Sequence, residues 1–294
     1  MHKNNYSNLI FGTMRLGVWG ANFSAEQILL LIEACLERGI TTFDLADIYG
    51  NYTTEADFGQ ALQLKPSLRD QIQLITKCGI KFVCENKPDY RIKSYDSSKT
   101  HIIASVENSL KQLKTDYIDL LLLHRPDFLM NPDEVATAFN QLKDQGKVKE
   151  FGVSNFTASQ FEMLNNRFPL VTNQVEISIL KLDTFTDGTL DQCLKHQLRP
   201  MAWSPFAGGQ IFQTSEQENI QNIQTIGTRL AQKYEVALDQ IILAWLLKHP
   251  AGIQPILGTS KLKRIQAAVD ASTVEMTKEE WYELWQASTG TEIA

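Results

Sequence analysis

Cysteine is scarce, with four in 294 residues, and no two sit at the C-x-x-C spacing of a redox or zinc motif. Cys35, Cys78, Cys84 and Cys193 therefore read as reduced thiols, which excludes a disulfide frame and a zinc site and points to the cytoplasm. No bound metal is expected. No apolar run approaches the roughly 18 residues of a membrane span, and residues 1–6 lack the apolar core of a signal peptide. Positive charge is also short: Lys and Arg number 28 against 34 Asp and Glu, for a net charge of −6. A nucleic-acid partner needs a basic face and is not expected. No linker, charge block or low-complexity stretch divides the chain, so residues 1–294 are expected to form a single domain. The common nucleotide fingerprints are missing too. Gly12, Gly17 and Gly20 have the wrong spacing for G-x-G-x-x-G, and no G-x-x-x-x-G-K-[ST] occurs. A nucleotide bound by this chain is held in another way.

What is present is an alternation. Short apolar runs at 9–14, 40–45, 72–76, 117–123, 148–153, 171–177, 199–203 and 253–257 read as strands. Segments of helical periodicity follow them, from Ser24, which caps the first, to a pair at 216–233 and 238–248 and two more at 262–269 and 278–285. Repeated β-α units imply a parallel sheet. Eight of them close into a (β/α)8 TIM barrel, here with extra C-terminal helices; a doubly wound open sheet is the rival. Residues 78–97 form a long irregular stretch, which in a compact domain is usually functional or mobile.

In a barrel the active site lies at the carboxyl ends of the strands. Asp44, Lys77, His124, Ser154 with Asn155, Trp203 and Gly258 each lie at or next to the end of a different run, and Gln174 lies on the run 171–177. Taken singly each has a bland reading: the acid as a cap, the lysine as a solvated side chain, the tyrosine five residues after Asp44 as packing. Together they make an acid device. A free phenol has a pKa of about 10. An ammonium beside it favours the phenolate, and a buried ammonium needs a carboxylate. Tyr49, Lys77 and Asp44 fill those roles, and Lys77 is expected to bring Tyr49 below the free value. His124 would donate to the oxygen that Tyr49 protonates, stabilising an alkoxide as it forms. His2, His101, His196 and His249 have no such setting and read as surface or helix-face residues.

Phe43-Asp44-Leu45-Ala46-Asp47-Ile48-Tyr49-Gly50, Thr76-Lys77, Leu123-His124-Arg125-Pro126-Asp127 and Gly152-Val153-Ser154-Asn155-Phe156 resemble the motifs of the aldo-keto reductases, over the chain from about Phe11 to Val269. Pro255-Ile256-Leu257-Gly258, Arg264, and Met276-Thr277 with Trp281 are similar to the bacterial oxidoreductases of the YdhF type within that family. The resemblance implies a barrel that reduces an aldehyde or ketone to an alcohol with NADPH. Asp44, Tyr49, Lys77 and His124 would be its catalytic tetrad, with Tyr49 as general acid. A small carbonyl compound would be its partner, and the oligomeric state stays open.

The same resemblance implies a cofactor site. Ser154, Asn155 and Gln174 would hold the nicotinamide carboxamide, and Trp203 would stack on the ring. Ser204, Pro205, Phe206, Ala207 and Gly208 would pass along the pyrophosphate. Gly258, Ser260, Lys261 and Arg264 would meet the adenosine phosphate, the cations favouring NADPH over NADH. The sequence departs from the family where many members carry Glu-Asn for the adenine; Ala267 and Ala268 stand there. Trp19, Phe82, Tyr90, Tyr95 and Phe128 are expected to wall the substrate pocket, and no basic cluster for a charged substrate is evident. Two other functions remain open. One is a catalytically weak NADP(H)-binding regulatory subunit, like the channel-associated β-subunits, which share the Trp203-Ser204-Pro205 pattern but lack the histidine. The other is a lyase using Lys77 as a Schiff base.

Overall fold

Successive side chains of a strand point to opposite faces, and in this chain that parity decides which residues meet inside. The computed structural model describes residues 6–293, so His2 lies outside the described residues. Its strands are β1 (Ile10–Gly12), β2 (Thr42–Asp44), β3 (Gln73–Cys78), β4 (Ile80–Lys81), β5 (Ser94–Tyr95), β6 (Ile118–Leu123), β7 (Val148–Ser154), β8 (Asn173–Glu176), β9 (Met201–Trp203) and β10 (Gln254–Leu257). β4 and β5 pair with each other, antiparallel, inside the stretch read from sequence as irregular. The other eight are parallel and close on themselves, with β10 bonded back to β1. This is the expected TIM barrel.

One parity set fills the lumen. Ile10, Ile75, Leu120, Leu122, Met201 and Ile256 form a buried cluster there. The opposite set, including Phe43, Leu74, Leu121, Phe151 and Val153, faces the helices. Two residues on, the lumen parity brings Gly12, Lys77, His124, Trp203 and Gly258 to the carboxyl rim. Register levels the remaining strands with these, Gly12 lying opposite Asp44.

The helices are α1 (Ala25–Leu36), α2 (Tyr49–Tyr52), α3 (Thr54–Leu64), α4 (Lys99–Leu113), α5 (Pro132–Asp144), α6 (Ala158–Asn165), α7 (Thr189–His196), α8 (Glu218–Tyr234), α9 (Leu238–Leu247), α10 (Leu262–Asp270) and α11 (Lys278–Thr289). Their starts are well satisfied: the side chains of Ser24, Ser98, Asn131, Thr157 and Thr277 accept from the first turn of α1, α4, α5, α6 and α11. α2 is a helix in name only, because Gly50, Asn51 and Tyr52 all carry positive φ. α11 docks through aromatic stacking. Trp281 lies over Trp245 of α9 at 4.9 Å and 8°, and each indole N–H donates to the other residue's carbonyl at 3.0 Å. Trp285 continues the stack at 5.5 Å. No helix among the described residues is long and apolar enough to cross a membrane.

Candidate active site

The inward side chains at the strand ends meet in a cleft of about 860 Å³. Asp44 ends β2, Lys77 is the penultimate residue of β3, His124 follows β6, and Tyr49 returns from the loop after β2. Lys77 is fully buried. Its Nζ donates to Asp44 at 2.8 Å, to the Leu45 carbonyl at 2.7 Å and to the Tyr49 oxygen at 3.1 Å. An ammonium has three protons, and all are engaged. Since Tyr49 accepts from Lys77, its own O–H is left for a ligand. Gln174 donates to Asp44 Oδ1 at 2.8 Å, which steadies the carboxylate from the far wall.

Burial works against the Lys77 charge, but Asp44 and Tyr49 outweigh it and leave the ammonium raised above its ordinary value. For Tyr49 the balance differs from the sequence expectation. Burial raises the phenol more than Lys77 lowers it, so its pKa sits above, not below, the free value. The expectation counted the neighbouring charge and left out the desolvation of the phenolate. His124 stands edge-on to Tyr49, ring centroids 6.0 Å apart. Burial, then Lys77, Arg125 and Lys93, hold its pKa well below the usual imidazole range, so it is neutral. Its Nδ1 is buried without a partner among the described residues, which leaves Nε2 as the nitrogen to meet a ligand.

Within reach of the Lys77 charge sits another acidic group, one that the sequence did not single out. Glu55 of α3 is buried and accepts from Thr76 Oγ1 at 2.6 Å, one residue before Lys77. Burial pushes its carboxyl up to about 7, against the hydrogen bonds from Thr76 and Ser109. Helical spacing marks Glu55 only as one polar residue among several, and no local pattern announces its burial.

Several of the expected cofactor residues lie along one wall. Asn155 donates to Ser154 Oγ at 2.8 Å and accepts from Trp203 Nε1 at 3.0 Å, while Ser154 Oγ donates to the Gln174 carbonyl at 2.9 Å. These bonds order an amide and two rings' worth of surface next to His124. Ser204, Ala207, Gly208 and Gly209 all have positive φ, a run of turned peptides of the sort that forms anion-binding concavities. A Cβ at Gly258 would meet no protein atom within 4 Å and would project into the cleft. Ser154, Asn155, Gln174, Trp203, Ser204, Pro205, Phe206, Gly208, Gly258 and Arg264 line the cleft; Ala207, Ser260 and Lys261 lie beside it without lining it. Lys261 occupies the cap position of α10. Ala268 is in the lining, together with Leu238 and Asp239 from the start of α9, which the sequence did not suggest. The residues present fit a dinucleotide: polar groups for an amide, a flat ring, turned peptides and glycine for phosphates, and a cation.

At the other end Trp19 and Tyr95 line the cleft. Phe82 packs edge-on against Trp19 at 5.7 Å and backs it up. Tyr90 lies beneath Lys81 outside the lining, and Phe128 stands 88% exposed beside Tyr95. The lining also holds Arg15, Lys93 and Arg125. No basic cluster was evident in sequence because these three come from separate loops, after β1, between β4 and β5, and after β6. The remaining histidines lie elsewhere: His101 near Asp96, His196 bonded to Glu162 at 2.7 Å, and His249 edge-on to Phe185.

Comparison with known proteins identifies the family and agrees with the barrel fold. The model of the aldo/keto reductase family matches residues 8–288. The chain is 47% identical to the uncharacterized oxidoreductase YcsN of Bacillus subtilis over 98% of its length and 96% of the relative's. It is 44% identical to oxidoreductase YdhF of Escherichia coli, covering 98% and 95%. A 6-dehydroglucose reductase of Agrobacterium fabrum is 43% identical, covering 99% and 97%. Among solved structures, an aldo/keto reductase from Klebsiella pneumoniae in complex with NADP and acetate aligns with a TM-score of 0.76 at 25% identity, covering 95% and 90%.

Proposed function

The chain belongs to the aldo/keto reductase family of oxidoreductases, and on that premise we propose that it reduces a small aldehyde or ketone to the alcohol with NADPH, Tyr49 acting as general acid. The observation that carries this reading is the bond from Lys77 Nζ to the Tyr49 oxygen at 3.1 Å, with Asp44 holding the same ammonium. NADPH, when bound, supplies the hydride. The protein's part is to place the carbonyl and meet the charge that develops on its oxygen. Tyr49 hands over its proton, and the ammonium of Lys77 stabilises the phenolate left behind. Neutral His124 offers a ring N–H to the same oxygen, a donor aimed where charge appears. Ser154, Asn155 and Gln174 would hold the carboxamide, and Trp203 the ring. Residues 204–208 would follow the pyrophosphate, while Gly258, Ser260, Lys261 and Arg264 would meet the adenosine phosphate. With Ala267 and Ala268 in place of Glu-Asn, the adenine rests on apolar surface. A neighbour of the same fold binds NADP, which supports the choice of coenzyme. Four unbridged cysteines suit the cytoplasm.

The two rivals fare worse. A regulatory subunit has no use for an imidazole in the cleft, and His124 is there. A Schiff base needs a neutral, mobile amine, and Lys77 is a buried ammonium with every proton held. The test is a panel of aldehydes and ketones, 6-dehydroglucose among them, read by loss of NADPH absorbance. Tyr49→Phe keeps the ring and removes the acid, so turnover should fall about 10²–10⁴-fold while NADPH still binds. Near-normal reduction by Tyr49→Phe would remove the assigned acid.

A further inference from the structure

Arg125 follows His124 directly, at the end of the cleft away from Arg264. A guanidinium has five N–H donors in a planar fork. Arg125 is half buried, yet among the described residues none of its donors meets a protein acceptor and no carboxylate pairs with it. Its one close partner is the Trp203 ring, 5.7 Å below Cζ. The nearby acids are committed elsewhere. Asp127 accepts from Ser97 N–H and Oγ and from Leu129 N–H. Asp96 is taken by Ser98 and faces Lys81 and His101. Asp44 belongs to Lys77. Lys93 lines the same cleft, exposed and equally without an acidic partner. Both cations are near enough to act on His124, and Arg125 also on Tyr49. In a protein of net charge −6, this end of the cleft carries the opposite sign, and such a field gathers anions.

We propose that Arg125 and Lys93 form a recognition site for an anionic group of the substrate, so that the preferred carbonyl compound carries a carboxylate or a phosphate on a short chain. The proposal rests on the reductase reading above and names the substrate class of that same site. A planar, unpaired guanidinium is matched by a two-oxygen anion. Its position one residue from His124 sets that anion a short distance from the reacting oxygen. The flexible Lys93 adds a second charge from the hairpin loop. The phosphates of the cofactor have their own cation in Arg264, which leaves Arg125 for the other ligand.

The experiment compares aldehydes that differ only in the terminal group: succinic semialdehyde against butanal, and glyceraldehyde 3-phosphate against glyceraldehyde, each with NADPH and the full-length protein. The charged member should have the higher kcat/KM, mainly through KM. Arg125→Met should lose roughly 10- to 100-fold more on the charged member than on its neutral partner, the worth of one charge-assisted bond. Lys93→Met, on an exposed site that cannot disturb folding, should show the same selective loss at smaller size. The two pairs tell carboxylate from phosphate. Equal losses on charged and neutral members overturn the proposal, as does a loss confined to NADPH affinity. If neutral aldehydes are reduced and charge brings no advantage in either pair, only the anion site falls. If no carbonyl compound is reduced at all, the reductase reading falls and this one with it.

Discussion

Lys77 shows how tightly single residues are constrained here. Its ammonium is buried, and among the described residues Asp44 is its only counter-charge within bonding distance. Removing one partner of a buried pair leaves the other uncompensated, at a cost of about 3–5 kcal/mol. Lys77→Met should therefore lower stability by that order in urea unfolding as well as cripple reduction. Adding Asp44→Asn should restore much of the stability and none of the activity. The pH profile follows from Tyr49, whose pKa burial holds above the ordinary phenol value. Reduction needs the protonated phenol, so its rate should stay level through neutral pH and fall only above about 10. In Lys77→Met any residual activity should hold to still higher pH, since the lowering charge is gone. Glu55 gives a stability signal instead. Its folded value of about 7 lies above the ordinary 4.5, so the folded state keeps a proton that the unfolded chain releases. That contribution is whole below pH 4.5 and is lost as pH rises through 7, about 3 kcal/mol in all. Glu55→Gln should flatten the fall in stability between pH 5 and 8, measured by urea unfolding; an unchanged slope would mean that Glu55 does not hold that proton. Asp44, Lys77 and His124 were legible because each interrupts an apolar strand at its end. Glu55 and Arg125 were not, since their significance lies in what packs around them.

At the scale of elements, the proposed preference for NADPH would rest on α10. Arg264 lines the cleft from its first turn, and Lys261 sits at its cap position. A helix start beside a cation is a ready phosphate site. NADPH should bind more tightly than NADH, read by quenching of Trp203 fluorescence. Arg264→Ala should weaken NADPH roughly 10-fold or more and leave NADH little changed. Equal affinities in the parent protein would contradict the assignment. The strand and helix order was readable from periodicity, and capping residues marked the helix starts. Three short elements escaped. β4 and β5 are two residues each, too short for alternation to register, and they pair across the intervening loop 82–93. α2 escaped because its left-handed Gly50, Asn51 and Tyr52 break the helical period. Trp19 Nε1 donates to Asn51 Oδ1 at 3.0 Å and pins that turn beside Tyr49.

The whole molecule depends on closure: β1 and β10, from opposite ends of the sequence, bond to each other. Eight β-α units made the barrel legible, because a closed ring is what parallel strands of that number and parity form. The docking of α11 was not legible, since nothing local to 278–285 says which surface its tryptophans will meet. Trp245 is fully buried at that junction. Trp245→Ala should cost about 3–5 kcal/mol, read in thermal or urea unfolding, with little effect on NADPH binding. The arrangement of the five tryptophans has an optical consequence. Trp245, Trp281 and Trp285 lie nearly parallel within a few ångströms, so their electronic transitions should mix and give an exciton band in circular dichroism. Trp19 and Trp203 stand apart, in the cleft. The protein thus carries two independent spectroscopic channels, a dichroic one that reports whether its last helix is seated and a fluorescent one that reports whether its cleft is filled.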